Sequence, residues 1–549
     1  MKGTLDMKKR SVLAALTGLL LCASASMSFA ETLRFAAQGD INSLDPYVFD
    51  ETFTTGFLGN MYEGLIRRDA DLKIQPALAE SWEMVEPTRW RFKLRQGVKF
   101  HDGSPFTADD VLFSADRVRA NGSDLKNRLS NDTKVVKIDD YTVDFITKTP
   151  NPIIMYQWGN WYMMSKSWAE KNGDKGPQKG GGESESYSTL HENGTGPFVL
   201  KLREPGIRTT LEANKDWWNA AKAESNVTEV VFTPIPNSAT RVAALLSGQM
   251  DVIMPVPLQD IERLKASGSA QAIIGPELRT IYIVMDQFRD ELVYSNVKGK
   301  NPLKDRRVRE ALYRAIDIEA LKSKVMRNMA TPSALMVAPG IHGSSPDFKR
   351  IPFDIQKSKA LLAEAGYPDG FEIGLDCSND RYVNDEAICL ALANMFSKVN
   401  IKVKVTAQTK TKFFQKVHAP YLDFSLSMLG STPPSYDSWG PINSLHECPR
   451  LTPQSAVWAE EDRMKVTAGK SNNGGYCNPE VDRLAAEILA ETDQEKRDAL
   501  IRKVWTITTD DIAYLPIHQQ WLSWGVRNNV ELKQRADDVF DWRYANIKK

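Results

Sequence analysis

Strand-period and helix-period patterns alternate along almost the whole chain, and no other feature restricts its fold as much. In "TLRFAAQ" (32–38), Leu33, Phe35 and Ala37 share one face of a two-residue repeat. "TEVVFTPI" (228–235) and "TIYIVMD" (280–286) read as further strands. "PNSATRVAALLSGQMDVIM" (236–254) reads as a helix stopped by Gly248 and followed by a strand. "DRRVREALYRAIDIEALKSKVM" (305–326) sets Val308, Ala311, Leu312, Ala315 and Ile316 at amphipathic helical spacing, with Lys304, Arg306, Arg307 and Arg309 as its solvated basic face. In "FDIQKSKALLAEAGYPDG" (353–370), Asp354 is placed to cap a helix and Gly366 to end it before Pro368. Short strands alternating with helices predict an α/β architecture.

The chain opens "MKGTLDMKKRSVLAALTGLLLCASASMSFAE". A basic start, a short apolar run and small residues at Ser28 and Ala30 read as a secretory signal over residues 1–30, cleaved after Ala30. Leu21 before Cys22 argues against a lipoprotein. Later segments lack the roughly 20 consecutive apolar residues of a membrane span, so an exported soluble protein is expected. Charge is balanced at 70 basic and 70 acidic residues, which predicts no attraction to nucleic acid. Removing the leader leaves Cys377, Cys389, Cys448 and Cys477. Three pairings are possible in an oxidising compartment, and joining sequence neighbours, Cys377–Cys389 and Cys448–Cys477, is the simplest. A zinc site using His446 with Cys448 and Cys477 fits no compact ligand spacing.

"WRFKLRQGVKFHDGSPFTADDVLFSADRV" (90–118) brings His101 beside Asp102 and resembles a catalytic segment at first sight. Trp90, Phe92 and Leu94 alternate with basic residues as in a half-buried strand, and Val98 with Phe100 suggests a second one. Neighbours on a strand point to opposite faces, so His101 and Asp102 do not converge on one substrate. Thr107 and Asp110 have capping-box spacing, and Asp109 also lies in the first turn of the helix that follows. Elsewhere the six histidines are scattered and no metalloprotease, serine-hydrolase or dinucleotide motif occurs. "KNGDKGPQKGGGESESYS" (171–188) lacks the Gly-Lys-Ser/Thr of a phosphate loop and reads as a surface loop. No cofactor, metal or catalytic residue is expected.

"MYEGLIRRDADLKIQPALAESWE", the 90–118 segment, "GTGPFVL", "LEANKDWWN", "KALLAEAGYPDGFEI", "GGYCNPEVDRL" and "YLPIHQQ" together resemble the family 5 extracytoplasmic solute-binding proteins, the peptide, opine and nickel receptors of bacterial ABC importers. The resemblance implies a two-lobed periplasmic binding protein fold (type II, cluster C-like) with an extra subdomain on lobe I. It divides the chain into lobe I (31–67, 191–283 and 513–549), the subdomain (68–190) and lobe II (284–512), crossing between lobes near 280–286 and 514–525. It implies a monomeric periplasmic receptor that hands a peptide or other small polar solute to permease subunits. A hydrolase using cleft carboxylates and a ligand-presenting partner of a chemoreceptor are the competing readings. Ligand contacts are expected from Trp158, Asn160 and Trp161, from Arg381 and Tyr382, from Thr432, Tyr436, Asp437 and Trp439, and from Trp521. The aspartate that dipeptide receptors use for the ligand's amino terminus falls on Thr432, and their carboxylate-binding arginine finds no match near Ala387. A modified or longer peptide, an opine, an oligosaccharide or a metal chelate therefore fits better than a standard dipeptide.

Overall fold

Two long antiparallel strands, Ala270–Met285 and Leu515–Arg527, run through the middle of an eleven-stranded sheet. The computed structural model describes residues 31–178, 186–418, 422–433, 435–449 and 468–548; the expected leader and residues 179–185 of the glycine-rich stretch lie outside the described residues. At one end the long pair carries Val252–Met254, then Thr32–Ala37, Glu229–Pro234, Arg208–Ala213 and Phe198–Glu204. At the other end it carries Leu426–Ser431, Phe371–Ser378 and Ile401–Gln408. The register of the pair shifts between Pro276 and Thr280, where the neighbours change from one set to the other.

The parallel strands Thr32–Ala37 and Glu229–Pro234 bury Leu33, Phe35, Val230 and Phe232 on one side. Helix Thr52–Leu58 covers that face, and Phe35 packs against Phe232, Phe540 and Trp542. The same core continues into a four-stranded antiparallel sheet, ordered Ala79–Glu86, Arg89–Leu94, Thr142–Ile146, Lys134–Asp139. Helix Ala108–Arg119 packs on this sheet. Two further cores follow, one around Leu312, Leu375 and Ile388 that also takes in Ala36, Val242 and Ile253, another around Phe413, Ile442 and Trp505.

Local signals account for many of these elements. Asp354 accepts from the Lys357 N–H and Gly366 ends that helix at φ +90°. The Thr107 N–H donates to the Asp110 carboxylate at 2.9 Å, completing a capping box. Both disulfides join sequence neighbours, Cys377 with Cys389 and Cys448 with Cys477.

Three expectations are corrected. Val98 and Phe100 are buried but sit in a turn with one bridge, Lys99 to Pro105, rather than in a second strand, because His101-Asp102-Gly103 reverses the chain at once. The helix expected over 305–326 ends at Ala315, and Asp317 then caps a new turn by accepting from the Ala320 N–H. Arg309 does not belong to the solvated face. It is buried and donates to the carbonyls of Leu303, Lys304, Asp511 and Ile512, tying the helix to the 511–512 corner.

Candidate functional site

A cavity of about 200 Å³ opens between the two halves of the molecule. One wall comes from residues 50–68, 128, 159–162 and 535–543; the facing wall is Thr432, Pro433 and Tyr436, just beyond strand Leu426–Ser431. The volume is below the ~300–1,000 Å³ of drug-sized pockets, so the site suits a small solute.

Arginine dominates the first wall, and most of its charge is answered within the protein. Arg535 donates to both carboxylate oxygens of Asp537 at 3.0 and 2.7 Å, and Arg543 does the same to Asp541 at 2.7 and 2.6 Å. Burial works against the Arg543 guanidinium, but Asp541 more than offsets this and raises its pKa. Arg128 donates to Asp50 at 2.7 Å and to the Asn160 side-chain amide oxygen (Oδ1) at 3.0 Å. Glu63 accepts from the Trp218 and Trp217 indoles and the Thr195 hydroxyl, while burial pushes its carboxyl pKa up. Arg67 and Arg68, adjacent at the end of strand Ile66–Arg68, line the same cavity and form no ion pair among the described residues.

Tyr436 connects the walls. Its hydroxyl donates to Asp537 at 2.7 Å and its ring lies 3.6 Å under the Arg68 guanidinium carbon. The loop that carries Tyr436 is fixed from behind by Asp437. That carboxylate is fully buried, accepts two 2.7 Å bonds from Arg497 and accepts from the Trp439 N–H.

Of the residues expected at the ligand, Asn160, Thr432 and Tyr436 meet at this cavity. Trp158 and Trp161 do not line it. They are buried edge to face at 5.0 Å, with Trp158 also against Phe92 and Phe145, and they back the Gly159-Asn160 segment that does. Asp437 faces Arg497, and the Trp439 indole donates to the Ala485 carbonyl. Tyr382 is buried against Gly430, Arg381 lies over the Tyr382 ring, and the Trp521 indole donates to Thr331. None of these five lines the cavity. Sequence reasoning missed Asp50, Arg67, Arg68, Arg128 and the charged run 535–543. Its one available signal was "RADDVFDWR", a dense mix of charges and aromatics near the end of the chain.

A polar cavity facing Thr432, Pro433 and Tyr436 in a two-lobed α/β fold is the architecture of the periplasmic binding proteins. The chain belongs to the bacterial extracellular solute-binding proteins, family 5, whose "family 5 Middle" description matches residues 73–448. It is 28% identical over 515 residues to the glutathione-binding protein GsiB of Shigella dysenteriae and to that of Escherichia coli K12, covering 92% of this chain and 93% of each relative. Solved structures with the same fold include the DppA periplasmic binding protein of Helicobacter pylori in complex with a peptide, at TM-score 0.75 and 22% identity, covering 94% of this chain and 98% of that one. The substrate-binding protein CtaP of Listeria monocytogenes is similar at TM-score 0.80 and 18% identity, covering 95% and 100%.

Proposed function

We propose that the protein is the periplasmic receptor of an ABC importer, capturing a small peptide-like solute in this cavity and delivering it to membrane permease subunits as a monomer. The observation that carries the reading is the cavity itself: the 432–436 segment faces residues 50–68 and 535–543 across it, and Tyr436 reaches over to touch Arg68 and Asp537. A solute held there contacts both halves at once and so favours the state in which they are together. In this reading lobe I is 31–67, 191–283 and 513–549 with the subdomain 68–190, lobe II is 284–512, and the lobes hinge at the Pro276–Thr280 register shift. The similarity to glutathione-binding proteins supports a solute of tripeptide size, in keeping with the modest cavity. The test is mass spectrometry of the small molecule released when the purified protein is denatured, followed by re-addition to refolded protein. A released peptide-like solute that raises the melting temperature supports the proposal; an unrelated released compound that leaves it unchanged contradicts it.

A further inference from the structure

Arg68 is 4% exposed, and two of its guanidinium nitrogens, Nε and Nη2, have no hydrogen-bond partner among the described residues. These two groups are not a random pair. They form the side of the guanidinium that elsewhere in this chain takes a carboxylate in two-point contact: Arg34 with Asp251, Arg91 with Asp144, Arg535 with Asp537 and Arg543 with Asp541. The rest of the side chain is held firmly. Its Nη1 donates to the Leu72 carbonyl at 2.8 Å, and the Tyr436 ring lies under the guanidinium plane. Beside Nε stands Gly159; a Cβ there would come within 3.2 Å of the Tyr436 ring and 4.0 Å of Arg68 Nε, so the bare glycine lets this turn pack closely against the ring and the guanidinium edge. Arg67, next in sequence, also faces the cavity, and among the described residues its side chain makes one hydrogen bond, 3.5 Å to the Tyr544 hydroxyl. Burial lowers the Arg68 pKa, and Tyr436 and Asp537 only partly offset this.

A buried guanidinium edge with no partner is costly, and a carboxylate is the planar acceptor that matches it. We propose that Arg68, with Arg67 beside it, is the subsite that receives a carboxylate of the solute, so that the receptor selects small carboxylate-bearing solutes. The inference rests on the reading of this cavity as the solute site. The carboxylate docks while the lobes are apart, and Tyr436 then closes over the guanidinium and seals the pair from water, where charge-assisted hydrogen bonds are strongest. Closure without an anion leaves the Arg68 edge unsatisfied. The same residue therefore discriminates between solutes and penalises empty closure.

Calorimetry on solute-stripped, full-length mature protein tests this with two matched pairs: reduced glutathione against its diethyl ester, and trialanine against trialanine amide. In the wild type at least one free acid binds about tenfold or more tighter than its blocked partner. In Arg68→Gln that ratio falls to about one, while the unliganded variant melts no lower than wild type because a buried unpaired charge has been removed. Arg68→Lys keeps the charge but lacks the two-point edge and retains only part of the preference. Blocked and free forms binding the wild type equally overturns the proposal, as does Arg68→Gln keeping the tenfold preference. If Arg68→Gln fails to fold, the wild-type ratios and Arg68→Lys decide. Should none of the four probes bind, the solute released on denaturation decides: one without a carboxylate overturns the subsite but leaves the receptor reading standing, whereas no bound solute at all removes both.

Discussion

Asp437 accepts two 2.7 Å hydrogen bonds from Arg497, and both side chains are buried. Removing one partner leaves a buried charge uncompensated, so Asp437→Ala lowers unfolding free energy by about 3–5 kcal/mol, read from urea midpoints. A loss below about 1 kcal/mol would place the pair outside the folded core. At this scale the sequence was least legible: it marks Asp437, Trp158 and Trp161 as rich in chemistry, but not that their polar groups and rings face inward. His101 makes the same point from the other side. It is buried against Glu192 at 2.9 Å and against the Gly196 carbonyl, which gives it a structural partner and no contact with the cavity. Burial disfavours the imidazolium, yet Glu192 and Gly196 outweigh it and the pKa is raised. A raised folded pKa means the stabilisation is fully present below the ordinary value of 6.5 and is lost as pH rises through the folded value. The stability difference between wild type and His101→Gln therefore shrinks as pH rises from below 6.5 through the raised folded pKa. A difference that stays flat or grows with pH would contradict this pairing, and solute affinity is expected to remain unchanged in the variant.

Element by element, legibility follows how local the cause is. The helix Ala108–Arg119 was readable because its cap, its acidic first turn and its buried face, Val111, Ala115 and Val118, all lie within a dozen residues. The segment 305–326 was misread as one helix because the hydrophobic period continues across a break that Asp317 enforces through its own cap. The end of strand Ile66–Arg68 illustrates a deeper limit: nothing in "LIRRDADLK" shows that Arg68 will sit under a tyrosine some 370 positions later in the chain. Disulfide Cys448–Cys477 spans 29 positions and ties the segment after His446 to the start of helix Pro479–Ala490. Replacing both cysteines with serine lowers stability by about 3–4 kcal/mol through the freed unfolded chain, measured by denaturant titration under oxidising conditions. An unchanged midpoint would mean that the bridge constrains little.

For the molecule as a whole, the alternation of strand and helix periods was enough for the α/β class, whereas the two-lobed arrangement came from the combined family motifs. The cavity could not be read from either. It is assembled from Asp50 at one end of the chain and Arg543 at the other, brought together by the long strands Ala270–Met285 and Leu515–Arg527. Its arginine surplus is equally invisible in a chain of balanced overall charge. What the architecture does supply is a mechanism. In the proposed function, the two halves joined through a pair of continuous strands move about the Pro276–Thr280 irregularity, and a solute bridging the walls shifts the population toward closure. Small-angle scattering tests this most directly, on mature protein first stripped and then saturated with the solute it releases on denaturation. Closure predicts a smaller radius of gyration in the saturated sample together with a higher melting temperature. An unchanged radius at saturation would contradict it.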